Sequence, residues 1–215
     1  MFNFGMKPLV KEYRRYRTVS MDLNHKIIQS CLHRDALMES ARLLGIVKND
    51  TIVFADEDET NVLMDFVLHE YRVDGKTAIE LYRETKGGKN EIEKNLINSW
   101  LAASTSLFEI TSIAQSRPLL ILEDLLGPKD PVNLVDIAFS RSAVPGLLLF
   151  LRRVPFKEFF MTSGFTFIFH PALADRLVKG YKDSCMKKDR PADSRRRFIH
   201  FFKANRKDGM EVRYE

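Results

Sequence analysis

Cysteine is scarce in this chain. Two occur among 215 residues, Cys31 and Cys185, far apart and each without a neighbouring cysteine. That spacing excludes a CxxC zinc or redox site and provides no disulfide framework. Cys31 lies among apolar residues, which suits a small buried thiol. Long apolar runs are missing as well. The longest, Leu147 to Leu151, is far short of the ~20 residues that span a bilayer. The first residues, "MFNFGMKPLVKEYRRYR", are basic and lack the apolar stretch of a signal peptide. A cytoplasmic protein without a membrane span is expected.

Catalytic signatures are missing too. His69-Glu70 begins like HExxH, but Val73 stands at the second histidine position. Gly88-Lys89 resembles the end of a P-loop, yet Asn90 follows and Arg83 holds the leading glycine position. GxSxG and GxGxxG do not occur. No catalytic residues, metal site or cofactor are therefore expected.

What is present is ordinary for a protein with a real core: 45% hydrophobic and 29% charged residues. The net charge of +5 is uneven. Residues 1–17 carry +4, residues 182–215 carry +5, and the body between them carries −4. Basic ends of this kind attract phosphate or acidic protein surface.

Four parts follow from the patterning: a basic N-terminal arm (1–17), a helical part (18–104), a strand-rich barrel-like part (105–170) and basic C-terminal helices (171–215). In "DLNHKIIQSCLHRDALMESARLL", residues 22–44, apolar positions recur at helical spacing, and Gly45 ends the run. "TIVF" at 51–54 reads as extended. Asp58 or Thr60 can cap a helix with the stripe Val62, Leu63, Phe66 and Val67. Thr77 with Glu80, and Asn90 with Glu93, announce two more helix starts.

After Ser104 the period becomes extended. Strands are expected in "SLFEITSIA" (106–114) and over 119–124, 132–139 and 147–154, then a hairpin over 158–169 turning at Thr162–Gly164. Eight of sixteen phenylalanines fall between Phe139 and Phe169, which predicts a small antiparallel β-barrel or curled sheet. Phe150, Phe165 and Phe167 are expected in its core. In "PLLILEDLLGPKDPVNLVD", Glu123 and Asp124 sit where a strand ends at Gly127-Pro128. Adjacent strand residues face opposite ways, so the pair reads as turn punctuation rather than an acid–base couple. Pro171 suits the first turn of a helix reaching about Lys179. The fold class is α+β: a helical N-terminal part packed on a small antiparallel barrel, closed by C-terminal helices.

Two clusters are candidates for function. "RRRFIHFFKANRK" places Phe198, Phe201 and Phe202 on one helical face, flanked by Arg195, Arg196, Arg197, Arg206 and Lys207. This helix, expected over 192–207, either docks its phenylalanines on the body or offers them to a partner, with the arginines free for phosphate. Docking is the preferred reading. The acidic run Asp56–Glu59 with Asp65 and His69 contains hard metal ligands, but acids before a helix also favour the positive end of its dipole.

The succession "LMDFVLHEYRVDGKTAIELY", "SLFEITSI", "LLILEDLLG", "PGLLLFLRRVPF" and "GFTFIFHP" resembles an uncharacterised bacterial region often found with SEC-C metal-binding tails. Its D-L-L-x-G-like hairpin matches Asp124-Leu125-Leu126 with Gly127, and its G-x-x-L-x-x-R strand matches Gly146 through Arg152. The resemblance covers about residues 60–175 and implies helices followed by a strand-rich unit, without an established chemistry. The Cys/His tail is absent here, so zinc binding does not carry over.

The function expected is a non-enzymatic binding or adaptor protein with an unidentified protein partner. The alternatives are a nucleic-acid-binding protein using the basic termini, and a metal-dependent hydrolase using the acidic cluster before helix 60–72. Nothing in the sequence sets an oligomeric state.

Overall fold

The computed structural model describes residues 6–32, 34–114, 118–186 and 193–210. The chain is α+β. Its first element, α1 (Met6–Cys31), takes in most of the stretch expected to be a basic arm. Leu9, Tyr13, Tyr16, Ser20, Leu23 and Ile27 recur every three or four residues and turn inward, with Leu23 and Ile27 fully buried. Lys11, Arg14 and Arg15 occupy the exposed side. The helical stripe was hidden in a basic run, and burial against α4 (Ala78–Thr85) and α5 (Glu91–Leu101) stabilises it.

The single helix expected over 22–44 is two. α1 stops at Cys31 and α2 (Arg34–Leu44) follows. The break lets α1 pack on α4 and α5 while α2 packs on α3 (Asp58–His69) and α7 (Ser194–Asp208). α2 ends as expected at Gly45, whose φ of +79° is left-handed. There the Ile46 N–H donates to the Ala41 carbonyl, closing the helix end. β1 (Val47–Lys48) and β2 (Thr51–Ile52) form a two-residue hairpin. Asn49 and Asp50 both have positive φ there, as a type I′ turn requires.

The cap of α3 lies earlier than expected. The Glu59 N–H donates to Asp56 Oδ1 at 3.0 Å, and Glu59 Oε2 accepts from the Ala55 N–H at 2.7 Å. The expected Thr77–Glu80 capping box is present on α4, and the Asn90 side chain caps α5.

Five strands follow: β3 (Ser104–Ile113), β4 (Leu119–Asp124), β5 (Val132–Val135), β6 (Leu148–Pro155) and β7 (Phe160–Phe169). Their order is β3-β4-β5-β7-β6, and β6 returns to pair with β3, so the sheet closes on itself. It is mixed rather than antiparallel throughout, because β5 and β7 run parallel and meet at Leu134↔Phe160. The expected hairpin over 158–169 is one strand. Its turn-like centre is a bulge: the register with β6 shifts between Leu151↔Thr166 and Arg153↔Thr162, and Gly164 there has φ +138°. The glycine that looked like a turn permits the bulge instead. β5 is also shorter than the expected 132–139. Asp136 accepts from the Ala138 and Phe139 N–H groups and starts a short 3-10 turn, Phe139–Arg141.

Inside the closed sheet lie mainly aliphatic residues, among them Ile110, Leu120, Leu134, Leu149 and Leu151, together with Phe108. Phe150, Phe165 and Phe167 are buried, but on the outer face beneath α7. Strand alternation separates the two sets: Leu149 and Leu151 face inward, Leu148 and Phe150 outward. The interior accepts branched aliphatics, and the sheet–helix layer takes the rings.

Asp124 is punctuation, as expected. Its Oδ1 accepts from Ser106 Oγ at 2.5 Å and from the N–H groups of Leu126 and Gly127. A Cβ on Gly127 would come within 2.9 Å of that carboxylate. Glu123 pairs with Lys129 at the surface. α6 (Ala174–Met186) is longer than expected, and α7 begins at Ser194, capped by Asp193.

Candidate functional site

α7 docks its aromatic face. Phe198, Phe201 and Phe202 are fully buried. Phe201 stacks on Phe150 at 4.4 Å between ring centroids, and Phe198 meets Phe165 at 4.9 Å. The flanking cations are then held in different ways. Arg195 and Lys207 are exposed. Arg196 lies 3.4 Å from Asp193. Arg197 donates to the Thr105 carbonyl, and Arg206 pairs with Glu59 at 2.6 Å. The helix works as a clasp, and its cations are spread around it.

Asp65 and His69 meet a partner that only the resemblance had singled out, Arg152. This arginine sits in the apolar strand β6 with its side chain 2% exposed. It reaches Asp65 Oδ1 at 2.8 Å and Glu70 Oε1 at 2.7 Å. Ser194, at the start of α7, donates to the same Glu70 oxygen at 2.7 Å. One guanidinium thus joins α3, β6 and the first turn of α7. Glu70 had been weighed only as part of a failed HExxH pattern, and Ser194 carried no sequence signal.

Charge compensation decides the protonation states. Burial works to raise the Asp65 pKa, but Arg152, with His69 and the Arg152 hydrogen bonds, holds it below the usual carboxylate range. Burial and the nearby guanidinium push His69 down to about 3, against the pull of Asp65. The imidazole is neutral at pH 7 and lies edge-on to Trp100. A small cavity of about 150 Å³ opens beside the cluster. Both carboxylates are committed to a fixed cation, so the arrangement fastens elements together. Among the described residues no group of three His, Cys, Asp or Glu stands close enough to hold a metal ion.

The larger concavity lies elsewhere. A cleft of about 330 Å³ runs between the first half of α1, the start of α3, the end of α7 and β7. Asp56, Asp58, Glu59 and Asp136 stand on its walls, with Arg17 as the facing cation. Glu59 is satisfied by Arg206 and by the Ala55 N–H. Asp136 is 3.7 Å from Arg17, whose Nη2 also donates to Thr162 Oγ1 at 2.5 Å. Asp56 accepts a backbone N–H and is exposed, and Asp58 is exposed at the rim. The floor is apolar, with Val62, Phe165 and Phe167. A Cβ placed on Gly164 would meet nothing within 4 Å, so the bulge borders open space. The acidic run singled out in the sequence therefore lines a cleft, while Asp65 and His69 belong to the buried cluster.

A model of a family of unknown function, DUF7986, matches residues 7–215. The chain belongs to this family. The match spans nearly all of the sequence, a wider stretch than the resemblance over 60–175, and agrees with it in pointing to an uncharacterised family. No curated protein and no solved structure matches the chain significantly. Among the described residues no helix is long and apolar enough to cross a membrane.

Proposed function

We propose that the protein is a non-enzymatic binding module whose cleft takes a cationic partner. The observation that supports this reading is the composition of the walls: four carboxylates face one arginine over an apolar floor. Two of the four, Asp56 and Asp58, are exposed, and Asp56 feels the Arg206 guanidinium only at a distance. Carboxylates at the mouth of a partly apolar concavity attract and orient cations by focusing the field. The net charge of +5 opposes any general attraction, so binding would have to come from this local field. A bacterial cytoplasmic setting belongs to the same proposal.

A titration separates the readings. Poly-lysine should raise the melting temperature at low salt, and the Asp58→Asn substitution should reduce that gain. Stabilisation by poly-glutamate or by single-stranded DNA instead would replace this reading with an anionic partner held on Arg195 and Lys207, two of the exposed cations of α7. Absence of any response to poly-lysine would remove it.

A further inference from the structure

We propose that the free edge of β7 takes up an extended basic peptide from a partner protein as an added strand. The inference rests on the cationic-partner reading and gives it a chemistry. β7 is ten residues long and pairs with β6 from Phe160 to Phe169. On its other side it meets β5 only at Leu134↔Phe160. No strand lies beside residues 162–168 on that side among the described residues, and the 330 Å³ cleft lies along this stretch.

The direction of the backbone groups follows from one bond. The Ile168 carbonyl accepts from the Met210 N–H at 2.8 Å, so it points away from β6. In an antiparallel ladder, residues two apart direct their N–H and C=O groups to the same side. The N–H and C=O of Thr166, paired opposite Leu151, therefore face the cleft as well. The Met210 contact also shows that this edge accepts a backbone partner, with the chain itself supplying the first bond.

Both ends of the open run are marked. Arg17 bridges to Thr162 at one end, and Met210 closes on Ile168 at the other. Between them no strand pairs with the edge among the described residues, and Gly164 is exposed. A strand laid here forms main-chain bonds for affinity, while its side chains alternate between the apolar floor and the walls. The walls carry Asp56 and Asp58, so lysine or arginine at alternate positions complements them. A helical ligand or a small polyamine could satisfy the charge but not the edge.

The test uses the full chain and a short synthetic peptide of alternating lysine and valine. A second peptide has the same sequence with alternate amides N-methylated, which preserves charge and blocks ladder bonding. The unmodified peptide should bind, and methylation should weaken it about tenfold through the loss of two or three backbone bonds. Amide hydrogen exchange of residues 163–167 should slow on binding. Asp58→Asn should weaken binding and lower its salt dependence without unfolding the protein. Equal binding by both peptides, with unchanged exchange at 163–167, overturns strand addition and leaves the cationic cleft standing. Failure of both peptides and of poly-lysine overturns strand addition and the cationic reading together.

Discussion

Arginine meets carboxylates in two regions, and the regions behave differently. Arg152 and its partners Asp65 and Glu70 are almost wholly withdrawn from water, at 2%, 6% and 4% exposure. Arg17 and Arg206 line or flank the cleft and keep 25% and 32% of their side chains exposed. In the buried cluster a guanidinium without its carboxylates would be an uncompensated charge, so geometry is enforced. At the cleft the arginines stay partly solvated, so their pairs are weaker, although Glu59 itself is only 4% exposed. The first region fastens elements that are distant in sequence. The second can exchange its own ion pairs for those of a ligand.

Removing the buried guanidinium is the strongest way to test that contrast. Arg152→Ala should cost about 3–5 kcal/mol, because Asp65 and Glu70 are left buried without their cation. Arg152→Met should cost clearly less when combined with Asp65→Leu and Glu70→Met, since a matched apolar replacement avoids the stranded charge. Urea denaturation measures both. Equal losses in the two variants would show that the cluster is not what fastens α3, β6 and α7. The aromatic layer next to it is comparable: Phe201→Ala should cost roughly 3–5 kcal/mol, as a buried ring under the clasp helix is deleted.

Acid should weaken the buried cluster before it touches the cleft. His69 has its pKa lowered from 6.5 to about 3, so between those values the unfolded chain binds a proton that the folded one excludes. Stability is then full above pH 6.5 and falls as pH drops toward 3. Asp65, also depressed, adds a loss at still lower pH, beginning below its unfolded value and continuing through its folded one. The His69→Gln variant should show a flatter decline between pH 6.5 and 3 in denaturant titrations. An unchanged slope would mean that the histidine is open to water.

The cleft pairs should give smaller effects. Arg206→Ala should cost about 2 kcal/mol, since a third of the arginine is solvated and Glu59, though 4% exposed, keeps its bond from the Ala55 N–H. Asp58→Asn, an exposed change, should shift stability by less than ~0.5 kcal/mol and act on ligand binding alone. If Arg206→Ala matched Arg152→Ala in cost, the contrast between a fastened and an exchangeable site would fail.

Local chemistry made much of the fold legible. The Thr77–Glu80 box, Asn90, Gly45 and Asp124 act through atoms within a few residues of themselves, so their roles could be read without neighbours. Periodicity likewise placed β3, β4 and β6 and put Phe198, Phe201 and Phe202 on one face. Where a local signal had two solutions, the reading went astray. Ser163-Gly164 is compatible with a turn or with a bulge, and pairing along β6 selected the bulge. The apolar stripe Leu9–Tyr13–Tyr16 was masked by basic residues and became a helix face through packing on α4 and α5.

The site divides along the same line. Sequence alone determined the α+β character, the caps of α4 and α5, the aromatic face of α7 and the acidic run before α3, because each is set by composition or by spacing of a few residues. Tertiary structure decided that Asp65 and Glu70 meet Arg152, more than 80 residues away. It also decided that the acidic run faces the edge of β7 across a cleft. Those outcomes depend on a closed sheet in which β7 lies between β5 and β6. Chain closure of that kind is a property of long-range pairing, and no short stretch of residues encodes it.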